Sequence, residues 1–255
     1  ICLTNKYVRI ESGTRPDNGG KWWSQETWNS LHSAQYNHAK GESFDFNGVL
    51  QLGVHFTDWL HFTTTNTFAA SHYLSSTYID QRVYDTSYQN GYIGKDTGMS
   101  KSFGTTNILK ASQQWGAHSL NGMLGYEYGY WKTEYVSASG VGMPSGVDAL
   151  NASTPYGVSG YPIEGASWAA FIQASYDYAK RYFITATYRA EASSIFAPKK
   201  QVGHFPSVAA SWLISNEDFM KNQNVVSHLK LRASYGITGN SDIPAYQYLS
   251  TYSLS

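Results

Sequence analysis

The sequence predicts an all-β protein: an antiparallel transmembrane β-barrel wall with long loops on one side. Three observations carry this. First, several segments alternate apolar and polar side chains with a period of two, the spacing of a strand, where successive side chains point to opposite faces. In Ser167 to Tyr178, the residues Trp168, Ala170, Ile172, Ala174, Tyr176 and Tyr178 share one face, and Ser167, Gln173, Ser175 and Asp177 the other. The same pattern runs through Leu120 to Tyr128, Tyr182 to Ala192, Val208 to Ile214 and Leu229 to Thr238. Second, Glu127, Asp177, Arg189, Glu191, Lys230 and Arg232 all fall on the polar face. An Arg or Lys facing lipid near the bilayer midplane costs roughly 2–4 kcal/mol, so a membrane strand keeps its charges on the other side. Third, the runs reach about ten residues or more, matching the ~9–11 tilted residues that span a bilayer and exceeding the ~5–6 of an average strand.

Composition narrows the functions. Among 255 residues, 18 Lys+Arg balance 18 Asp+Glu, so no basic footprint for nucleic acid is present. Charged residues make up 14%, below the usual ~25%. Aromatics make up 16%, with 21 Tyr and 8 Trp, which suits interfacial girdles and equally a carbohydrate-binding surface. The single Cys2 excludes an internal disulfide framework and a Cys-based metal cluster. No apolar run reaches the ~18 residues of a transmembrane helix, which leaves a barrel open. With no initiator Met and a last stretch of Thr251 to Ser255, the chain reads as part of something longer, a trimmed mature domain being the alternative.

Taken in order, Ile1 to Ile10 is expected to end a strand, and Glu11 to Gly41, rich in Gly, Asn, Ser and Trp, to be a long loop. Phe44 to Thr57 is a strongly alternating strand, Asp58-Trp59 a tight turn, and Leu60 to Tyr73 a Thr-rich return strand. Leu74 to Ser100, with Gly91, Gly94 and Gly98, is expected to be a second long loop. Strands Phe103 to Trp115 and Leu120 to Tyr135 flank a short turn at Gly116-Ala117-His118. The Gly-, Ser- and Pro-rich stretch Ser137 to Gly165 is expected to be a third long loop. Strands Ser167 to Tyr178 and Tyr182 to Ala192 follow, joined at Ala179-Lys180-Arg181, and then His204 to Ile214. Ser215 with Glu217 and Asp218 has the look of a helix start, predicting a short helix to about Asn222. Leu229 to Thr238 is the last strand. Short and long connections alternate, and Phe56, Trp59, Trp115, Tyr178 and Tyr182 flank the short ones, where an inner aromatic girdle belongs.

Some stretches point to a family. Tyr176-Asp177-Tyr178-Ala179-Lys180-Arg181-Tyr182, Thr185-Ala186-Thr187-Tyr188-Arg189, Phe205-Pro206-Ser207-Val208 and Trp212-Leu213-Ile214-Ser215-Asn216-Glu217 resemble the barrel of SusC/RagA-type TonB-dependent outer-membrane transporters. The most specific match is Leu229-Lys230-Leu231-Arg232-Ala233-Ser234-Tyr235-Gly236-Ile237-Thr238-Gly239-Asn240, and Gly125-Tyr126-Glu127-Tyr128 is also similar. The resemblance covers about Ser119 to Tyr252. One motif departs: the family's Arg-Arg-Asp-Gly-Ser-Ser-Arg-Phe is replaced by Arg189-Ala190-Glu191-Ala192-Ser193-Ser194-Ile195-Phe196, without the Gly and two of the Arg. The resemblance implies a barrel of about 22 strands, of which this chain would supply roughly eight across residues 1–255, with a plug domain and the remaining strands elsewhere. It also implies energy from the TonB complex, a SusD-like surface lipoprotein as partner, a Gram-negative outer membrane, and import of oligosaccharides or peptides, with no cofactor and no catalysis.

Candidate chemistry is sparse. His32, His38, His55, His61, His72, His118, His204 and His228 show no compact metal spacing. Glu127, Asp177 and Glu191 are the carboxylates a glycosidase would need in a pair, but ion pairing with Arg189, Lys230 or Arg232 on a wet face explains them as well. Lys199-Lys200 is too small a cluster for a phosphate site. Trp22, Trp23, Trp28, Tyr78, Tyr84, Trp131, Tyr135 and Tyr156 lie in or near the long loops, where they either stack on a ligand or pack the loops. Beside the transporter, a smaller complete outer-membrane barrel and a secreted glycan-binding β-protein remain as alternatives.

Overall fold

A computed structural model describes residues 30–83, 90–220, 225–241 and 243, with side chains from residue 33 onward. A short helix α1 (Ser30–Tyr36) precedes eight strands: β1 (His38–Thr57), β2 (Leu60–Ile79), β3 (Tyr92–Trp115), β4 (His118–Val141), β5 (Thr154–Tyr178), β6 (Tyr182–Ser193), β7 (Val202–Leu213) and β8 (Lys230–Gly236). They form one sheet in chain order, each strand bonded to its sequence neighbours. The β5–β6 register sets Ile172 against Tyr188 and Phe171 against Arg189, and β7 continues both rows with Pro206 and Phe205.

The strands outrun the expectation. Leu74 to Ile79 and Tyr92 to Ser100 are strand, not loop, and so are Ser137 to Val141 and Thr154 to Gly165. His38 to Gly41 also joins β1. β5 reaches 25 residues, more than twice the ~9–11 a bilayer requires. Glycine and serine there lack the apolar alternation that marks a strand in sequence. Each extended neighbour nonetheless presents N–H and C=O groups that need partners, and the ladder supplies them. The helix expected after Ser215 is two 3-10 turns instead, Ile214–Asn216 and Asp218–Met220. Glu217 between them is extended (φ −76°, ψ 151°), which breaks a helix. The expected Ile1–Ile10 strand end, and Trp22, Trp23, Trp28 and Tyr84, lie outside the described residues.

The three-residue β5–β6 connection is tight: Ala179 and Lys180 both have positive φ, 53° and 54°, at the centre of a turn that the Arg181 N–H closes on the Tyr178 carbonyl at 3.0 Å. Neither residue is glycine, and the strain is offset by Asp177 Oδ1, which accepts the Lys180 N–H at 2.8 Å.

Two compact units share the chain. Unit 1 runs up to Phe46 and includes Ala70–Ser100 and Thr133–Pro162; unit 2 comprises Asn47–Ala69, Lys101–Lys132 and Ile163 onward. Unit 1 has a small apolar core of Tyr78, Ile93 and Met143, with Leu150 against it. In unit 2 the apolar residues of the alternating strands are the exposed ones. Leu124 is 55% exposed, Ile172 54% and Leu231 60%, so these residues are not buried between two layers. Along β6, Tyr182, Ile184, Ala186 and Tyr188 are exposed, while Phe183, Thr185, Thr187 and Arg189 are partly covered.

Candidate functional site

The polar face of unit 2 converges on Arg189. Its position on β6 places it opposite Phe171 of β5 and Phe205 of β7. Its Nε donates to Glu191 at 2.9 Å and its Nη2 to Glu127 at 2.8 Å. The guanidinium carbon lies 5.5 Å from the Phe171 ring centre, within cation–π range. The two carboxylates are therefore held by one cation, the ion-pairing reading of these residues, and neither is poised as a free acid or base. Asp177 and Lys230 do not join them. Asp177 serves the hairpin turn, and the Lys230 ammonium stands 4.6 Å from the Phe183 ring centre. Beside Arg189 lies a groove of about 390 Å³, lined by Glu191, Phe196, Lys200, Phe205 and Asn240 among others.

The motif departure at Ala190, Ala192 and Ile195 leaves the strand end closed. Ser194 donates its N–H to the Ala166 carbonyl at 2.9 Å, and its Oγ accepts the Ala166 N–H at 2.9 Å. Lys199 has a φ of 75° and Lys200 lines the groove, so this pair serves a turn and a wall.

Glycines set the aromatic rings of this face, a role that alternation alone does not reveal. A Cβ on Gly125 would overlap the Phe171 ring, and one on Gly165 would come within 2.8 Å of Trp131. Each glycine sits on the strand beside its aromatic, so the ring lies flat where a side chain would otherwise stand. The sequence signal was there, glycine inside a strand marking close approach, but not which ring approached.

At the short turns of unit 2 the expected girdle is present. Tyr182 stacks between Tyr178 and Trp212 at 6.4 and 6.3 Å. Glu217 Oε1 accepts the Tyr182 hydroxyl at 2.6 Å and the Trp212 indole N–H at 2.9 Å, while Oε2 accepts from Arg181 at 3.0 Å. The Tyr182 and Trp212 bonds hold the Glu217 carboxyl below its ordinary range, against the opposing effect of burial. His118 lies within 6.0 Å of Trp115 and accepts or donates at 2.6 Å to Tyr176. His55 and His61 bring two imidazoles together, at 4.1 Å, and among the described residues no group of three metal-ligating side chains occurs.

In unit 1 the aromatics divide by role. Tyr78 is 3% exposed and gives its hydroxyl to Asp80 at 2.9 Å, so it packs a loop and offers no ligand surface. Asp80, fully buried, also accepts from Arg82 Nε and Nη2 at 2.8 Å each and from the Gly146 N–H at 2.9 Å. Burial alone would raise its pKa, but the Arg82, Gly146 and Tyr78 bonds outweigh it and hold the carboxyl well below the usual range. Asp148 is likewise lowered by His38 at 2.8 Å and Lys95 at 2.9 Å. Tyr135 differs. Its hydroxyl donates to Asp96 at 3.0 Å and its ring lies 5.9 Å from that of Tyr161, which is exposed. Tyr156 is 65% exposed.

A family model described as TonB dependent receptor-like, beta-barrel, matches residues 3–253. The chain belongs to that family. Within it the likeness is to SusC/RagA-type barrels. TonB-dependent receptor SusC of Bacteroides thetaiotaomicron is 42% identical over 83 residues, 32% of this chain and 8% of SusC. TonB-dependent receptor P3 of Formosa agariphila is 29% identical over 214 residues, covering 74% of this chain. The chain spans 13% of the length of receptor P39 and 21% of P3, both from that organism. The structure of the RagAB peptide transporter superposes with a TM-score of 0.78 at 22% identity, covering 86% of this chain and 25% of that one; this likeness is of fold. Families of this kind form outer-membrane barrels of bacteria, and receptors of the family are not generally enzymes.

Proposed function

We propose that this TonB-dependent receptor barrel contributes an arc of about eight strands to a wall of about 22, through which oligosaccharides or peptides are imported across a Gram-negative outer membrane. A plug domain elsewhere in the longer protein closes the lumen and rearranges under force from the TonB complex, and a SusD-like lipoprotein delivers substrate at the surface. The observation that carries the reading is the inverted exposure of unit 2. Leu124, Ile172 and Leu231 stand open on one face while Arg189, Glu127 and Glu191 satisfy each other on the other. Such a face suits hydrocarbon, and residues 1–255 alone would leave two strand edges whose bare N–H and C=O groups lipid does not tolerate.

Cell fractionation of the complete protein and uptake assays with and without TonB test this. The expected result is recovery in the outer membrane, solubility only with detergent, and uptake abolished without TonB. A monomer soluble without detergent would instead support the secreted glycan-binding alternative.

A further inference from the structure

Unit 1 carries a second cluster on the polar face of its strands that the loop knot around Asp80 does not use. β3 brings Asp96, Gly98 and Ser100 to one face at alternate positions. Tyr73 of β2 lies over Gly98, where a Cβ would overlap its ring. From β4, Tyr135 donates to Asp96 at 3.0 Å and Thr133 bonds Ser100 at 3.0 Å. From β5, Tyr161 brings its ring to 5.9 Å from Tyr135 at a 49° tilt. Tyr73 is 40% exposed and Tyr161 55%, so two rings are open although they are anchored.

We infer that Tyr73, Tyr135, Tyr161 and Asp96 form a platform for a neutral oligosaccharide. The chemistry selects the class. Open aromatic faces take the C–H surface of a sugar ring, whose apolar area they desolvate at low entropic cost because a glycine or a neighbour already holds each ring. A carboxylate flanked by hydroxyls accepts from sugar hydroxyls through charge-assisted bonds. None of Tyr73, Asp96, Ser100, Thr133, Tyr135 or Tyr161 is cationic, so an acidic glycan or a peptide carboxylate meets only Asp96. The strands here are interior members of the sheet, so a peptide finds no free edge to extend. The inference rests on the transport reading for its setting and deepens it by naming the substrate class.

The test uses the complete transporter in detergent, titrated calorimetrically with maltohexaose, cellohexaose, laminarihexaose and xylohexaose, and with hexagalacturonate and hexa-alanine as contrasts. At least one neutral saccharide is expected to bind, Tyr161→Ala to weaken it about tenfold, and Asp96→Asn several-fold, with melting temperature and membrane insertion unchanged. Tyr135→Phe, which keeps the ring and removes the Asp96 bond, is expected to weaken binding less than Tyr161→Ala. Binding of no neutral saccharide, binding indifferent to Tyr161→Ala, or Tyr161-dependent binding of hexagalacturonate or hexa-alanine each overturns the platform. Fractionation separates the two readings: an inserted, TonB-dependent protein that ignores these saccharides sinks the platform alone, whereas saccharide binding by a detergent-free soluble protein sinks transport alone.

Discussion

Unit 1 and unit 2 differ in what they bury. In unit 1 Tyr78, Ile93 and Met143 are hidden, and buried Asp80 has its bonds supplied by Tyr78, Arg82 and Gly146. In unit 2 Ile172 and Ile184 are open while Arg189 and Thr187 are partly covered. Both units expose apolar side chains on their strands, Phe44, Val136 and Val158 in unit 1 among them, but among the described residues only unit 1 also buries large ones. On the proposed transport reading, the buried cluster of unit 1 suits water, which favours burial of apolar area, and the bare apolar face of unit 2 suits hydrocarbon, which makes exposure of that area free and exposure of charge costly.

A charge on the open face of unit 2 separates the regions most sharply. Ile172→Arg is expected to cost about 2–4 kcal/mol when the complete protein is unfolded by urea from lipid vesicles. Val158→Arg, at a position in unit 1 that is 80% exposed, is expected to change the same equilibrium by less than about 0.5 kcal/mol. Equal costs would break the comparison.

Next in size is the knot of unit 1. Asp80→Ala strips the acceptor from Tyr78, Arg82 and Gly146 and is expected to cost about 2–3 kcal/mol. It should appear as new proteolytic cutting between Pro144 and Asp148, with the girdle of unit 2 intact. An unchanged digestion pattern would show that the knot does not order its loops.

Smaller again, Gly125→Leu pushes into the Phe171 ring and is expected to cost about 1–3 kcal/mol in the denaturation midpoint. Adding Phe171→Ala should recover part of that cost, since the double change removes the collision. Additive losses would mean that the glycine seat is incidental.

The mildest effect is on pH. The folded Glu217 carboxyl titrates below its ordinary range, so the unfolded chain takes up the proton first. Its stabilising contribution is complete above about pH 4–5 and is lost as pH falls through the lower folded value. Trp212 fluorescence on acidification should report this, and Glu217→Gln should flatten the change. Asp80 has the same sign, and its loss begins only in stronger acid.

Much of the wall was legible before any coordinates. The alternation at Trp168 to Tyr178, the charges confined to one face, and the aromatics at the short turns all reappear in β5, β6 and the Tyr178–Tyr182–Trp212 stack. Period two is a property of extended backbone, so a residue's face follows from its parity alone. Partners do not follow that way. That Arg189 would hold both Glu127 and Glu191, that Tyr78 would serve Asp80 while Tyr161 stays open, and that Thr154 to Gly165 would extend as strand despite its glycines were decided by contacts between segments distant in sequence. Local chemistry sets which way a side chain points, whereas register and neighbouring strands set what it meets and how far the ladder runs.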